Sequence, residues 1–216
     1  MTAAARFRLA LVLAGLLPVL PVLAGCGSVL PKPPPSPDLY TLTAPPPPSA
    51  PAAKRLNVQI LVALPQSTAA LDSERIALSQ SPTSFEYYAG AAWTDHAPGM
   101  LQALLAETLE RSGLFAAVAR SAVGLRADDI LVSDLRHFEA EYRTGPPQAR
   151  IEIDLKLVKS PEGSIIAEKD FEASVPAASN TVPDVVAAFD AASHQVLIQA
   201  APWIASVLPA GAGQKR

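Results

Sequence analysis

The chain has 216 residues, half of them hydrophobic, and it contains 22 prolines and a single cysteine. Its 17 lysines and arginines against 20 acidic residues give a net charge of −3 at pH 7, and the basic residues do not cluster. Nucleic-acid binding requires grouped positive charge that neutralises phosphates, so we expect no nucleic-acid partner. A lone cysteine cannot form an intrachain disulfide, so the fold must be stabilised by its hydrophobic core.

Residues 1–25 have the pattern of a lipoprotein signal peptide. A positive start at Arg6 and Arg8 precedes an apolar run up to Ala24 that is too short, and too interrupted by proline, to span a bilayer. The run ends in the tetrapeptide LAGC, which resembles the lipobox, in which the cysteine is acylated before the signal peptide is cleaved. We therefore predict that Cys26 is the lipidation site, carries palmitate among its acyl chains, and is the first residue of the mature protein.

Residues 26–56 are predicted to be the lipidated cysteine and a proline-rich linker. Proline tracts favour extended polyproline II backbone and cannot form a core of their own. One segment, Leu39-Tyr40-Thr41-Leu42, interrupts the tracts with a β-like pattern. It is either a linker fragment or a strand that docks on the domain edge or on a partner, and Leu39, Tyr40 and Leu42 are therefore the candidate partner-binding residues.

The first half of the folded domain is predicted to contain three strands and a helix. Period-two alternation of apolar residues predicts strands over residues 56–64, 75–80 and 84–88. Apolar residues at three-and-four spacing then predict an amphipathic helix over residues 97–112. Asp95 or Thr94 is expected to cap this helix, and Glu107 is expected to pair with Arg111 one turn later.

The second half of the domain is predicted to be a three-stranded meander followed by a long helix. The strands are predicted over residues 129–143, 150–158 and 164–175. In the first of them the apolar alternation slips between Leu135 and Phe138, which one extra residue in a β-bulge would correct. The helix is predicted over residues 182–208, with Thr181 as its cap and a kink or break at Pro202.

Together these elements predict a single α+β domain over residues 57–208, followed by a disordered tail at residues 209–216. Because the clearest strands form a meander, the sheet is expected to be mostly antiparallel, with five to six strands packed against two helices. Apolar and charged residues alternate over residues 150–158, so one face of the sheet is expected to be buried and the other exposed.

The sequence predicts no catalytic constellation, metal site or cofactor. The three histidines, His96, His137 and His194, lack partners at metal-ligand spacing, and each is interpreted as a surface or capping residue. Glu139 and Glu141 share one strand face and are interpreted as solvated carboxylates. The protein is therefore not expected to be an enzyme.

The order and spacing of these features resemble the ABC-type transport auxiliary lipoproteins. This family includes the outer-membrane lipoprotein partner of paraquat-inducible, mammalian-cell-entry (MCE) domain lipid transport systems. The matching features, in chain order, are the lipobox at Cys26, residues 39–42, Trp93, the helix of residues 100–109, residues 112–115, the strand through Leu135 and Phe138, the strand of residues 151–158, the turn at Gly163, and Trp203. The resemblance covers nearly all of the chain after the signal peptide.

The resemblance implies a non-catalytic component that helps an inner-membrane ABC permease, its ATPase and an MCE-domain subunit to move phospholipid or other hydrophobic solutes between membranes. The expected partners are that complex and, through acylated Cys26, the membrane, while homo-oligomerisation is left open. Gly27 follows the modified cysteine, where aspartate is the familiar inner-membrane retention signal of enteric bacteria. We therefore expect an outer-membrane protein that faces the periplasm of a Gram-negative bacterium.

Two other functions are compatible with the sequence. A lipoprotein that regulates a cell-wall or outer-membrane assembly machine by direct binding would also use a spacer and a small α+β domain. A lipid carrier would hold the cargo itself and would need an apolar cavity between sheet and helices, large enough for an acyl chain. The neighbouring genes would separate transport from envelope assembly.

Overall fold

The computed structural model describes residues 35–49, 55–120, 127–143 and 145–208. The predictions for the signal peptide, for lipidation at Cys26 and for the C-terminal tail lie outside these residues. Among the helices within the described ranges, none is both long enough and apolar enough to cross a membrane.

One sheet and two helices make up the described part of the chain. Its strands are β1 (Asp38–Tyr40), β2 (Leu56–Val62), β3 (Gln66–Ser67), β4 (Arg75–Ser79), β5 (Glu86–Trp93), β6 (Phe115–Ala119), β7 (Asp129–Glu141), β8 (Gln148–Lys159) and β9 (Ile165–Pro176). The helices are α1 (Ala97–Arg111) and α2 (Val182–Val207). The two predicted helices, the first predicted strand and the three-stranded meander are thus confirmed, with their ends shifted by a few residues.

The sheet has nine strands within the described ranges and is mixed, so the prediction of a mostly antiparallel sheet with five to six strands is wrong. The short strands β2, β3 and β4 follow one another along one edge of the long strand β7, all parallel to it. On the other edge of β7, β8 runs antiparallel, and β9 runs antiparallel to β8. β6 pairs in parallel with β2, and β5 joins β4 to β1.

The prediction of strand direction failed because apolar alternation shows which side chains face the core, not how the neighbouring strand runs. In the meander, short turns connect the strands, so the antiparallel pairing follows from chain order. The parallel pairs join segments far apart in sequence, with Ile60 opposite Asp129 and Leu78 opposite Ala140. Tertiary packing selects such partners, and the local pattern does not encode them.

Two strands carry irregularities that keep their side chains on the correct face. In β7 the register against β8 shifts between Leu135 and His137, so the predicted β-bulge is confirmed and Phe138 returns to the buried face. In β5, Gly90 has a φ of 69° where the register between β4 and β5 shifts. Glycine adopts this left-handed conformation without strain because it has no Cβ.

Both helices lie on one face of the sheet. Helix α2 packs on β8 and β9, and α1 packs against α2, β6 and β2. At the centre of this layer, the ring centroid of Trp93 lies 5.6 Å from that of Phe138 and 5.4 Å from that of Phe189, and the last two are 5.0 Å apart. All three residues are fully buried, and such aromatic contacts stabilise a core beyond simple area burial. This side is termed the helix-covered face, and the opposite side the open face.

The start of α1 differs from its prediction. The residue before the helix is His96, so the cap predicted at Asp95 or Thr94 is wrong. The Asp95 carboxylate instead accepts the backbone N–H of His96 at 2.7 Å, in the turn that leads into the helix. In the later part of α1, the predicted ion pair between Glu107 and Arg111 is present.

The long helix α2 begins after Thr181, as predicted, but the Thr181 side chain makes no capping hydrogen bond. The hydroxyl of Ser179 instead donates to the carboxylate of Asp184 at 2.5 Å, inside the first turn. The helix continues through Pro202 to its last residue, so the final turn is not split off.

Candidate functional site

The N-terminal arm, defined as residues 38–48, is packed against the domain. Its strand β1 runs parallel to β5, with Tyr40 opposite Trp93, and the backbone N–H of Thr94 donates to the Tyr40 carbonyl at 2.8 Å. Among the described strands, none pairs with the outer edge of β1. Of the two interpretations left open for residues 39–42, the structure therefore shows a strand at the domain edge.

Polar side chains on α2 hold the arm immediately after β1. Asp190 accepts the Thr43 backbone N–H at 2.7 Å and the Thr43 hydroxyl at 3.0 Å. His194, one turn later on α2, places its Nε2 atom 3.1 Å from the Thr43 hydroxyl and 2.9 Å from the Thr43 carbonyl oxygen. These three residues are termed the arm latch, because they fix the direction of the chain before the second proline tract.

The three predicted partner-binding residues lie in different environments. Leu39 is 64% exposed, Tyr40 is half-buried, and Leu42 is 4% exposed and belongs to the hydrophobic core. Leu42 is therefore a packing residue in this structure, whereas Leu39 presents an apolar side chain on an edge strand. Because the free edge of a strand offers backbone groups to another strand, Leu39 and Tyr40 remain candidates for partner binding.

The arm also forms one wall of a groove against the ends of both helices, termed the arm groove. Its cavity volume is about 260 Å³. The walls include Pro45–Pro48 of the arm, Leu114 after α1, and Ile198 and Pro202 of α2. The sequence predicted neither this groove nor its position, because it is built from three segments that only the tertiary fold brings together.

The open face of the sheet carries charged side chains that pair across β7, β8 and β9. Arg150 on β8 donates to Glu172 at 2.9 Å and to Glu152 at 2.7 Å, and it lies 3.4 Å from Glu141. These partners sit on three different strands, so the pairing depends on the register of the sheet. The arginine therefore links the strands of the meander on the face opposite the two described helices.

Carboxylates on the two faces have pKa values shifted in opposite directions. On the open face, a hydrogen bond from Arg143, together with the nearby Arg150, lowers the pKa of Glu141. Asp129 at the start of β7 is fully buried, and burial raises the pKa of its carboxyl group. Lys159 opposes that rise, because its Nζ atom lies 3.1 Å from the Asp129 carboxylate.

His137, Glu139 and Glu141 converge on the open face of β7, with potential ligand atoms within 4.8 Å of one another. Glu139 is only 5% exposed, so its interpretation as a solvated carboxylate is wrong. One of its oxygens lies 2.6 Å from His137 Nδ1, and the other accepts the Phe138 backbone N–H at 2.7 Å. Glu141 accepts a hydrogen bond from Arg143 at 3.0 Å. In this structure both carboxylates of the cluster therefore accept hydrogen bonds from protein groups.

The other two histidines differ in how well they match the prediction of a surface or capping residue: His96 is exposed, as predicted, whereas His194 is partly buried against the arm. His96 precedes α1 on the surface, and the hydrogen bond with Asp72, 2.7 Å away, raises the pKa of the imidazole. His194 belongs to the arm latch, a function that the sequence alone did not predict. The available signal was the spacing of Asp190 and His194, which places both on one side of α2.

Sequence comparison identifies a family that covers the arm and the domain together. The profile of the ABC-type transport auxiliary lipoprotein component matches residues 40–201. This range begins in β1 and ends in α2, so it includes the arm latch and most of the walls of the arm groove. The family predicted from the order of the motifs is therefore confirmed.

Two solved structures and one curated relative resemble the chain. Protein XCC0632 from Xanthomonas campestris is 33% identical, with a TM-score of 0.70 over 79% of this chain and 94% of that one. A second crystal structure, of an uncharacterized protein, is 14% identical with a TM-score of 0.62 over 78% of this chain and 99% of that one, and it shows the fold alone. The uncharacterized protein bll6063 of Bradyrhizobium diazoefficiens is 27% identical over 154 residues.

The alignment with the Bradyrhizobium protein covers 71% of this chain and 41% of that protein, so the chain spans less than half of that relative. The family match, by contrast, extends over most of the present chain. The chain belongs to the family of ABC-type transport auxiliary lipoprotein components.

Proposed function

We propose that this protein is an outer-membrane-anchored periplasmic lipoprotein that serves a transporter of the ABC and MCE type. It acts as a non-catalytic auxiliary component while phospholipid or other hydrophobic solutes move between membranes. The observation that carries the proposal is the family match over residues 40–201. The lipobox at Cys26, followed by Gly27, supports attachment to the outer membrane.

The protein docks on its transporter through the outer edge of β1. Residues of a parallel strand direct their backbone groups alternately to its two sides, so the edge away from β5 has groups available for another strand. Leu39, 64% exposed on this strand, supplies an apolar contact beside those groups. An extended segment of the MCE-domain subunit would thus add a strand to the sheet, which is a common mode of peptide recognition.

Co-purification with the transporter tests this function and its docking surface. The full-length lipidated protein, co-expressed with the permease, the ATPase and the MCE-domain subunit of its own bacterium, should recover the MCE-domain subunit. Leu39→Glu should reduce recovery about tenfold, because a carboxylate at an apolar contact loses hydration without gaining a partner. Leu64→Glu is the matched control, since Leu64 is 59% exposed but lies outside β1.

Each outcome of the co-purification has a distinct meaning. Wild-type protein that recovers no transporter component would contradict the proposed function. Recovery of a cell-wall or outer-membrane assembly protein instead would support the alternative of an envelope regulator. If the Leu39 and Leu64 variants recovered equal amounts of the MCE-domain subunit, the docking surface would have to lie elsewhere than on β1.

Membrane attachment is tested separately. Cys26→Ala removes the predicted acylation site, so the protein should leave the membrane fraction, which immunoblotting of fractionated cells would measure. Protein that stays in the membranes would contradict anchoring through Cys26. Separation of the two membranes on a density gradient should place the wild-type protein with the outer membrane.

A further inference from the structure

We propose that the arm groove binds one acyl chain of an anionic phospholipid, with the phosphate of that lipid on Arg111. This inference rests on the proposed transport function, because it names the ligand that the domain would hold. A lipid carrier was expected to need a cavity between sheet and helices. The site proposed here is instead a groove between the arm and the helix ends.

The arm contributes a wall without hydrogen-bond donors. Pro45–Pro48 line the groove, and proline has no backbone N–H, so four successive residues present ring carbons and no donor. Pro45 is buried against the domain, whereas the next three prolines are exposed. The arm latch at Thr43 fixes this wall in place, so the groove exists before a ligand arrives.

The polar side chains in the helix wall are satisfied within their own segment. The Thr108 hydroxyl donates to the Leu104 carbonyl at 2.7 Å, and the Ser112 hydroxyl donates to the Leu109 carbonyl at 2.6 Å. Ser112 Oγ also accepts the backbone N–H of Leu114 at 3.2 Å. Since neither hydroxyl has its proton free for a ligand, this wall also favours a hydrocarbon chain over a polar ligand.

The size of the groove suits one chain. At about 260 Å³ it exceeds the cavity of about 150 Å³ that is known to hold a benzene ring in an apolar protein core. It is smaller than the roughly 300–1,000 Å³ of typical pockets for drug-sized ligands. A segment of one acyl chain therefore fits, whereas both chains of a phospholipid do not.

Arg111 places a positive charge at the groove. Among the described residues that line it, Arg111 is the charged one, and its ion pair with Glu107 lies on the exposed surface of α1. Surface pairs one helical turn apart contribute little to stability, so the guanidinium can turn toward a ligand at small cost. Arginine binds phosphate with two parallel hydrogen bonds, and this charge therefore favours an anionic head group.

Photolabelling tests the site in the protein as it exists. The full-length lipidated protein would be placed in vesicles of phosphatidylethanolamine and phosphatidylglycerol that contain a phosphatidylglycerol with a diazirine near the end of one acyl chain. After irradiation, mass spectrometry should find the label on peptides that contain Leu114 or Ile198. Label confined to peptides outside the groove would overturn the proposal.

A matched pair of variants tests the apolar wall. Ile198→Glu should reduce labelling of the groove about tenfold, because a carboxylate there would be desolvated by the chain. Ile165→Glu on β9 should leave labelling unchanged, and it is an equal change because both isoleucines are 56% exposed. Equal labelling of the Ile198 variant and the wild type would overturn the proposal.

A second pair tests the head group. Arg111→Gln should reduce labelling by the anionic probe about fivefold, since the charged hydrogen bonds to phosphate are lost. It should not affect labelling by a diacylglycerol that carries the same diazirine but no phosphate. Glu107→Gln removes the ion pair while keeping the arginine, so labelling should stay equal or rise. An equal loss with both probes would overturn the role of Arg111.

Two other occupants would give different results. If the acyl chains on Cys26 fill the groove, the added probe will not label it in the wild-type protein. If a second copy covers it, labelling will be absent and Ile198→Glu will lower the sedimentation mass in detergent. Both results overturn the lipid site. Neither would affect recovery of the transporter through Leu39, so failure of this site and failure of the proposed function are distinguishable.

Discussion

On the helix-covered face of the sheet, Trp93, Phe138 and Phe189 are fully buried and contact one another ring against ring. On the open face, Arg150 instead lies among carboxylates from three strands, and Arg136 donates to Asp170 at 2.5 Å. Apolar packing does not depend on ionisation, whereas charge pairs respond to salt and pH. The helix-covered face therefore supplies most of the stability of the fold, while the open face holds the strands in register by pairing charges.

The largest expected effect comes from the aromatic cluster. Phe189→Ala removes a ring that contacts two other rings and leaves a cavity, so the free energy of unfolding should fall by about 3–5 kcal/mol. Urea denaturation followed by circular dichroism would measure this change. Leu64→Ala, at an exposed position, should change the same quantity by less than about 0.5 kcal/mol. A similarly small loss for Phe189→Ala would contradict the claim that the helix-covered face supplies most of the stability.

A smaller loss is expected from the charge network. Arg150→Met keeps the aliphatic stem but leaves Glu141, Glu152 and Glu172 without their shared cation, so the free energy of unfolding should fall by about 1–2 kcal/mol. Arg143→Met is the control, because Arg143 is more exposed and its removal takes away a single hydrogen bond to Glu141. Chemical denaturation in low and high concentrations of sodium chloride would show a loss that shrinks with screening. An effect as large as that of Phe189→Ala would contradict the assignment of most stability to the other face.

The two faces should respond to pH with opposite sign. Asp129 lies two residues before the buried Leu131 and so shares its face, and its raised pKa means that the folded state binds the proton more tightly. This group lowers stability as pH rises from about 4 through its folded pKa. An asparagine side chain does not titrate, so the free energy of unfolding of Asp129→Asn should rise relative to that of the wild type as pH rises over that window.

The lowered pKa of Glu141 has the reverse consequence. Its contribution to stability is present above the unfolded pKa of about 4.3 and is lost as pH falls through the folded pKa. Glu141→Gln should therefore be less stable than wild type at neutral pH, and the difference should disappear in acid. Urea titrations of both variants between pH 3 and 7 would measure these differences in the free energy of unfolding. If the difference from wild type changed with pH in the same direction for both variants, the predicted contrast between Asp129 and Glu141 would be wrong.

The smallest effect is expected at the arm, which joins the helix-covered side through α2. Asp190→Ala removes the acceptor for the backbone N–H and hydroxyl of Thr43, so amides of the arm should exchange with deuterium faster while global stability stays nearly constant. Hydrogen–deuterium exchange with mass spectrometry would measure this in residues 38–48. Gln195→Ala, at an exposed position on the same helix, should leave the exchange unchanged, and equal rates in both variants would rule out the latch.

The parts of the fold with strong local periodicity could be predicted from the sequence. The alternation of apolar residues predicted β2 and the strands of the meander. It also showed a shift of phase between Leu135 and Phe138, which the β-bulge explains. The predicted third strand ended at Tyr88, whereas β5 continues to Trp93 through residues 89–92. These four residues are alanine and glycine, which form strands poorly, and their pairing with β1 and β4 overrides that preference.

The candidate site was less predictable because its parts are distant in sequence. Leu39 and Leu42 look alike in the segment that carries them, and only the fold shows that the first is exposed and the second buried. The contact of Thr43 with Asp190 and His194 joins the two ends of the domain. Local patterns do not record such contacts, so both the arm latch and the arm groove became visible only with the structure.

From the arrangement of β2, β3 and β4 along β7 we expect a particular order of events during folding. These strands are synthesised first, yet the edge that joins all three does not exist until β7 is made. The meander closes short loops, since Glu141 pairs with Gln148, whereas pairing Ile60 with Asp129 closes a long one. We therefore expect the meander to form early and to act as the template on which β2, β3 and β4 assemble. These three strands would then take their places in the sheet after the meander, although they are translated before it.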